Sequence, residues 1–179
     1  MFWVRGPARA GGAVVVDARQ SSQFVSALLL AGPRFAGGLE VGLEPQQLPS
    51  RPHVEMTVAA LRDFGARADQ TGEFAWRVRP GGLAGRDIGV EPDLTNAAPF
   101  LAAALVAGGT VRIPDWPRST TQAGRLMLDY IEAFGGQVAW TEGTLAVTGT
   151  GRIRGVQLDL GAAGELTPTV AALAALAES

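Results

Sequence analysis

One pattern recurs three times along the chain: a short β-branched apolar run, a polar turn, then apolar positions at helical spacing. The first copy runs through Ala13, Val14, Val15, Val16 and Asp17, turns at Ser21, Ser22 and Gln23, and continues as Phe24-Val25-Ser26-Ala27-Leu28-Leu29-Leu30. The second runs through Ile88, Gly89, Val90 and Glu91, turns at Asp93 to Asn96, and continues as Phe100-Leu101-Ala102-Ala103-Ala104-Leu105. The third runs through Val156, Gln157, Leu158, Asp159 and Leu160, turns at Glu165 and Thr167, and continues through Val170 and Leu173. Each reads as a strand feeding a helix. The repeat recurs at roughly 70 to 75 residues, longer than a solenoid unit and suited to a small repeated subdomain.

The later parts of the first two copies also match. Gly37-Gly38 and Gly108-Gly109 follow the first helices as stop signals, and each precedes a strand. Second amphipathic helices carry Val54, Val58, Leu61 and Phe64 in one copy, and Leu126, Tyr130, Ile131 and Phe134 in the other. Both end in Phe-Gly. A hairpin closes each copy, around Phe74 to Val78 in the first and on either side of Glu142-Gly143 in the second. The predicted fold is therefore α/β (α+β), built of repeated β-α-β-α-β-β subdomains: two complete units and the start of a third. Residues 1–85 form the first unit. Residues 86–179 open the next domain, with a full subdomain over 86–149 and a partial one over 150–179. A strand and one helix do not bury their own apolar faces, so the third copy marks the sequence as a piece of something larger.

Composition narrows the chemistry. The 179 residues are 47% apolar and 18% charged, a globular balance. The formal charge is -2, against the basic excess of a general nucleic-acid binder. All 15 basic residues are Arg, so Schiff-base and P-loop lysine chemistry is absent from the chain. There is no Cys and only one His, which excludes disulfides, thiolate nucleophiles and Cys- or His-cluster metal sites. No cofactor or metal is expected. No apolar run is long enough to span a bilayer, and none at the start reads as a signal peptide, so the expected setting is the cytoplasm.

Among residues able to carry chemistry, Ser21, Ser22 and Gln23 stand out. At a helix start such residues are by base rate an ordinary N-cap, while hydroxyls, an amide and free N–H groups there also make an anion site. Ser50, before Arg51 and Pro52, opens another helix, where an exposed Arg could grip phosphate or simply face solvent. Glu165 stands where the third helix begins. A carboxylate there is stabilised by the helix dipole, and it is also a possible general base. Asp93 and Asn96 have the matching capping part in the second copy.

Four blocks together resemble the 5-enolpyruvylshikimate-3-phosphate synthase family, in its high-GC actinobacterial form. They are Ser21-Ser22-Gln23-Phe24-Val25-Ser26-Ala27-Leu28-Leu29, Leu48-Pro49-Ser50-Arg51-Pro52-His53-Val54-Glu55-Met56-Thr57, Glu91-Pro92-Asp93-Leu94-Thr95-Asn96-Ala97 and Gly164-Glu165-Leu166-Thr167-Pro168. The resemblance covers essentially the whole chain. It implies two domains, each of three β-α-β-α-β-β subdomains around a pseudo-threefold axis, with this chain spanning the boundary. It implies transfer of the enolpyruvyl group of phosphoenolpyruvate to the 5-hydroxyl of shikimate 3-phosphate, releasing phosphate, by a cytoplasmic monomer. Ser21, Ser22 and Ser50 would hold shikimate 3-phosphate, Gln23 would lie between the two substrates, and Glu165 would accept the proton. His53 matches a position often held by Tyr.

The family's Lys-Ser segment and its phosphoenolpyruvate-binding Arg would lie upstream of Met1, and further Arg and Lys residues downstream of Ser179. A non-catalytic anion-binding module of the same fold is the second reading. The related UDP-N-acetylglucosamine enolpyruvyl transferase is a third, which the Ser-Ser-Gln-Phe and Leu-Pro-Ser-Arg-Pro blocks disfavour.

Overall fold

Strands β1 (Gly12–Val16) and β2 (Leu39–Leu43) pair in parallel, in a register running from Gly12 opposite Leu39 to Val16 opposite Leu43. The computed structural model describes Trp3 and residues 10–178, and the chain divides into two compact units after Ile88. Parallel strands need a crossover. It is supplied by α1 (Gln23–Ala31) and a 3₁₀ turn at Gly32–Arg34. Helix α2 (Arg51–Asp63) then leads to the hairpin of β3 (Ala68–Gly72) and β4 (Ala75–Val78), which completes an antiparallel edge in the order β1-β2-β4-β3. Leu39, Val41 and Leu43 alternate inward from β2. They meet Val25 and Leu29 of α1, Val54, Val58 and Leu61 of α2, and Trp76 of β4 in one core.

The second unit holds α3 (Leu94–Ala107), β5 (Thr110–Ile113), α4 (Met127–Ala133), β6 (Gln137–Thr141), β7 (Thr144–Thr148) and α5 (Thr167–Ala175). Its three strands are antiparallel in the order β5-β7-β6. The positions match β2, β4 and β3 of the first unit, so the repeat read from the sequence is a repeat of topology. Both second helices stop on a positive-φ glycine, Gly65 and Gly135, a conformation that costs other residues strain. Asp93 caps α3 by accepting from the Asn96 N–H at 2.9 Å, as the sequence predicts.

Three expectations are corrected. No ladder forms at Ile88 to Glu91: Ile88 and Val90 are 56% and 88% exposed, and a strand needs both a partner and a face to bury. Val156 to Leu160 is likewise outside any named strand, although Val156, Leu158 and Leu160 pack inward at period two against the core. Its alternation is that of a strand, but among the described residues the only pairing nearby is an isolated parallel bridge between Arg154 and Glu178. The full β-α-β-α-β-β order therefore holds in the first unit alone. Finally, α1 ends at Ala31, before Gly37-Gly38, because Gly32-Pro33 turns the chain into the 3₁₀ segment.

The close approach of Gly149 to α3 gives a stability test. A Cβ at Gly149 would overlap the backbone of Ala104 and Leu105, whereas one at Gly109 meets nothing within 4 Å. Gly149→Ala is expected to cost about 1–3 kcal/mol through overpacking, and Gly109→Ala to stay within about 0.5 kcal/mol of wild type. Urea unfolding followed by tryptophan fluorescence measures both; equal midpoints would contradict the packing described.

Candidate functional site

The parallel pairing of β1 with β2 decides where the first group of candidates sits. Two parallel neighbours end at the same edge, so the loops leaving Val16 and Leu43 emerge side by side. One carries Ser21, Ser22 and Gln23 into α1. The other carries Ser50 into α2. The helices are tied together by a hydrogen bond from Thr57 Oγ1 to Ser26 Oγ at 2.8 Å. Ligands of open α/β sheets gather outside the carboxyl ends of parallel strands for this reason: helix starts and their N–H groups converge there.

The three neighbours at the first helix start differ. Ser21 is half-buried, and its Oγ accepts from the Gln23 N–H at 3.2 Å, so this hydroxyl satisfies one of the free helix-start donors. Ser22 is buried at 4% exposure with helical backbone angles, and its hydroxyl makes no cap bond. An ordinary N-cap has extended angles and a capping side chain, so the N-cap reading fails for Ser22. Gln23 is exposed at the first turn.

Ser50 departs further from an ordinary cap. Its backbone lies in the left-handed region, φ 48° and ψ 53°, rare for a residue with a Cβ. Its carbonyl accepts from the His53 N–H at 3.0 Å, which closes the first turn of α2. Strained non-glycine residues of this kind cluster at functional sites. Arg51, by contrast, is not the exposed phosphate grip the sequence allowed. Its guanidinium lies over the Phe74 ring, 5.6 Å from the centroid, and donates to the Glu73 carbonyl. The β3–β4 hairpin has engaged it.

Glu165 belongs to the second unit. It occupies a 3₁₀ turn, Gly164–Leu166, at the entry to α5, and its Oε1 is withdrawn from solvent. The turn is anchored on both sides, by the fully buried Ala163 and Leu166. Tyr130 of α4 is close enough to feel this carboxylate. Burial pushes its phenol above the ordinary value, and Asp129, Asp159 and Glu165 add to the push. The Tyr130 hydroxyl donates to the Asp159 carbonyl at 3.4 Å. The arrangement offers a carboxylate held at a helix start, able to accept a proton from a hydroxyl.

Several of these partnerships were not legible in the sequence. Arg19 is two residues from Ser21, but its guanidinium pairs with Asp17 at 2.6 Å and holds that carboxyl below its usual range. The Asp-x-Arg spacing was the available signal. Gln122 binds the start of α3: it accepts from the Leu94 N–H and donates to Glu91 and the Pro92 carbonyl. Tyr130 read only as one apolar position on a helix face. Among the described residues, no cluster of three or more His, Asp or Glu could hold a metal ion, and no helix is long and apolar enough to cross a membrane.

Comparison with known proteins agrees with the resemblance. The family model for EPSP synthase (3-phosphoshikimate 1-carboxyvinyltransferase) matches residues 2–179. The 3-phosphoshikimate 1-carboxyvinyltransferase of Kocuria rhizophila, an actinobacterium, is 56% identical over 168 residues, which are 93% of this chain and 38% of that protein. EPSP synthase from Acinetobacter baumannii superposes with a TM-score of 0.68 at 24% identity, over 95% of this chain and 40% of that one. The enolpyruvyl transferase NikO from Streptomyces tendae gives 0.69 at 22% identity, over 95% and 42%. These two structures speak for the fold, and the chain spans about two fifths of the length of the relatives it matches. Its blocks, its repeat and its match over almost every residue place this chain in the EPSP synthase family.

Proposed function

We propose that this chain supplies part of an enzyme that transfers the enolpyruvyl group of phosphoenolpyruvate to the 5-hydroxyl of shikimate 3-phosphate. In that reaction a bond forms between the hydroxyl oxygen and the enol carbon, the bond from that carbon to the phosphate oxygen breaks, and the hydroxyl proton must leave. Ser21, Ser22 and Ser50 hold shikimate 3-phosphate, chiefly at its phosphate. Gln23 lies between the two substrates, and Glu165 accepts the proton. Both substrates are water-soluble phosphorylated acids, so the reaction belongs in an aqueous compartment, for which we propose the cytoplasm.

The observation that carries the reading is the shared edge at the ends of β1 and β2. Hydroxyls and helix-start N–H groups from two loops gather there, with Ser22 buried yet not used as a cap and Ser50 in a strained conformation. A hydroxyl-rich pair of helix starts suits a phosphate ester: the dipoles point their positive ends outward, and hydroxyls donate to its oxygens. Neutral donors do not by themselves neutralise two phosphorylated substrates. In these loops Arg19 is held by Asp17 and Arg51 by the hairpin. The remaining cations must come from residues other than these, in line with a chain that covers 38% of its relative.

Two outcomes follow. In calorimetry and amide chemical-shift mapping, shikimate 3-phosphate is expected to bind weakly and to shift Ser21 to Gln23 and Ser50 to Arg51. Ser21→Ala combined with Ser22→Ala should reduce affinity by about tenfold or more, the scale of one or two hydrogen bonds to a charged group. Shifts confined to other residues would refute the assigned site. In a coupled phosphate-release assay with both substrates, the 179-residue chain is expected to show no turnover. Sustained release would show that the cations assigned elsewhere are not needed.

A further inference from the structure

Ser22 and Ser50 stand on different loops, so nothing local in the chain fixes the distance between them. Strand register brings the loops to one edge, and the packing of α1 on α2 sets how they lie there. Val25 and Leu29 of α1 share a core with Val54 and Val58 of α2, but apolar attraction is non-directional. A site for a defined ligand needs its donors held to within about 0.5 Å.

A continuous run of hydrogen bonds joins the two loops. On α1 the Ser22 carbonyl accepts from the Ser26 N–H at 3.1 Å. Ser26 Oγ accepts in turn from Thr57 Oγ1 of α2 at 2.8 Å. The same Thr57 hydroxyl lies 2.9 Å from the His53 carbonyl, and the His53 N–H donates to the Ser50 carbonyl at 3.0 Å. One proton offered to two acceptors makes a three-centre bond. The bond to His53 is the ordinary habit of a helical threonine, which bonds back to the carbonyl four residues earlier. The bond to Ser26 crosses between helices, and it connects the run. Both side chains are half-buried, where water competes less for a hydrogen bond than at an exposed pair. Ser50 has the greater need of support. Its left-handed backbone, φ 48°, is strained, and strain of this kind persists only where the surroundings over-determine it.

We propose that Ser26 and Thr57 are positioning residues: their hydrogen bond holds the Ser22 and Ser50 loops at one fixed separation, so that a phosphate ester meets both at once. Neither side chain is assigned a contact with the ligand. That the ligand is shikimate 3-phosphate rests on the functional reading above.

Two substitutions at one position separate hydrogen bonding from packing. Thr57→Val keeps the volume and loses the hydroxyl, whereas Thr57→Ser keeps the hydroxyl and loses a methyl. In calorimetry with shikimate 3-phosphate, Thr57→Val should weaken binding roughly threefold to tenfold, the worth of one hydrogen bond. Thr57→Ser should stay within about twofold of wild type. A side chain needed only for packing gives the opposite order, and that order overturns the proposal. Ser26→Ala should weaken binding as Thr57→Val does, and the double variant no further, because both remove one interaction. Losses that add overturn the proposal as well.

Amide hydrogen exchange reads the link in the ligand-free chain. Ser26→Ala on α1 should quicken exchange of the His53 N–H on α2, and Thr57→Val that of the Ser26 N–H on α1, each roughly threefold to tenfold. Changes confined to the substituted helix overturn the proposal. Changes that cross between the helices, in a chain that binds no shikimate 3-phosphate, would refute the functional reading and leave the link between the loops standing.

Discussion

The parallel pairing of β1 with β2 is the constraint on which the candidate site depends. Antiparallel pairing would send the Ser50 loop to the opposite edge from Ser21 and Ser22. Register matters as much as direction. A one-residue slip of β2 would turn Leu39, Val41 and Leu43 out of the core and Glu40 into it. The same burial that stabilises the unit therefore fixes which loops emerge together. Helix packing then sets their spacing, with the Thr57–Ser26 hydrogen bond tying the first half of α1 to the middle of α2.

At this edge geometry and charge are supplied separately. A helix start contributes about 0.3–1 kcal/mol toward an exposed anion, whereas a hydrogen bond to a charged group gives about 1.5–3 kcal/mol. Of the two, hydrogen bonds from hydroxyls and N–H groups are the larger contribution such an edge can offer an anion. Arg19 and Arg51, beside these serines in sequence, have internal tasks. Arg19 folds onto Asp17 and stiffens the turn before α1, and Arg51 bridges the start of α2 to the β3–β4 hairpin. Both side chains order the scaffold that presents the serines.

Much of this was legible in the sequence because it is local. The Phe-Gly endings, the Asp93 cap and the Glu142-Gly143 turn are each decided within a few residues, and each is present in the structure. What local pattern does not carry is partnership. Ile88 to Glu91 and Val156 to Leu160 have strand composition, but a ladder needs a second strand that composition does not supply. Arg51 was read as a surface cation because its ring partner, Phe74, is 23 residues away in sequence. Ser22 had the identity of a cap without its backbone angles. The end of α1 is set by Gly32-Pro33, a turn dipeptide that precedes the double glycine.

Glu165 shows how position can be fixed without a ladder. In the segment before it, Val156, Leu158 and Leu160 pack on the core at every second residue, and the turn itself is held by Ala163 and Leu166. Side-chain burial, not backbone pairing, therefore sets where the carboxylate starts. A glutamate has one more rotatable bond than an aspartate, and immobilising such a side chain costs up to about 2 kcal/mol. Withdrawal of Oε1 from water limits that freedom.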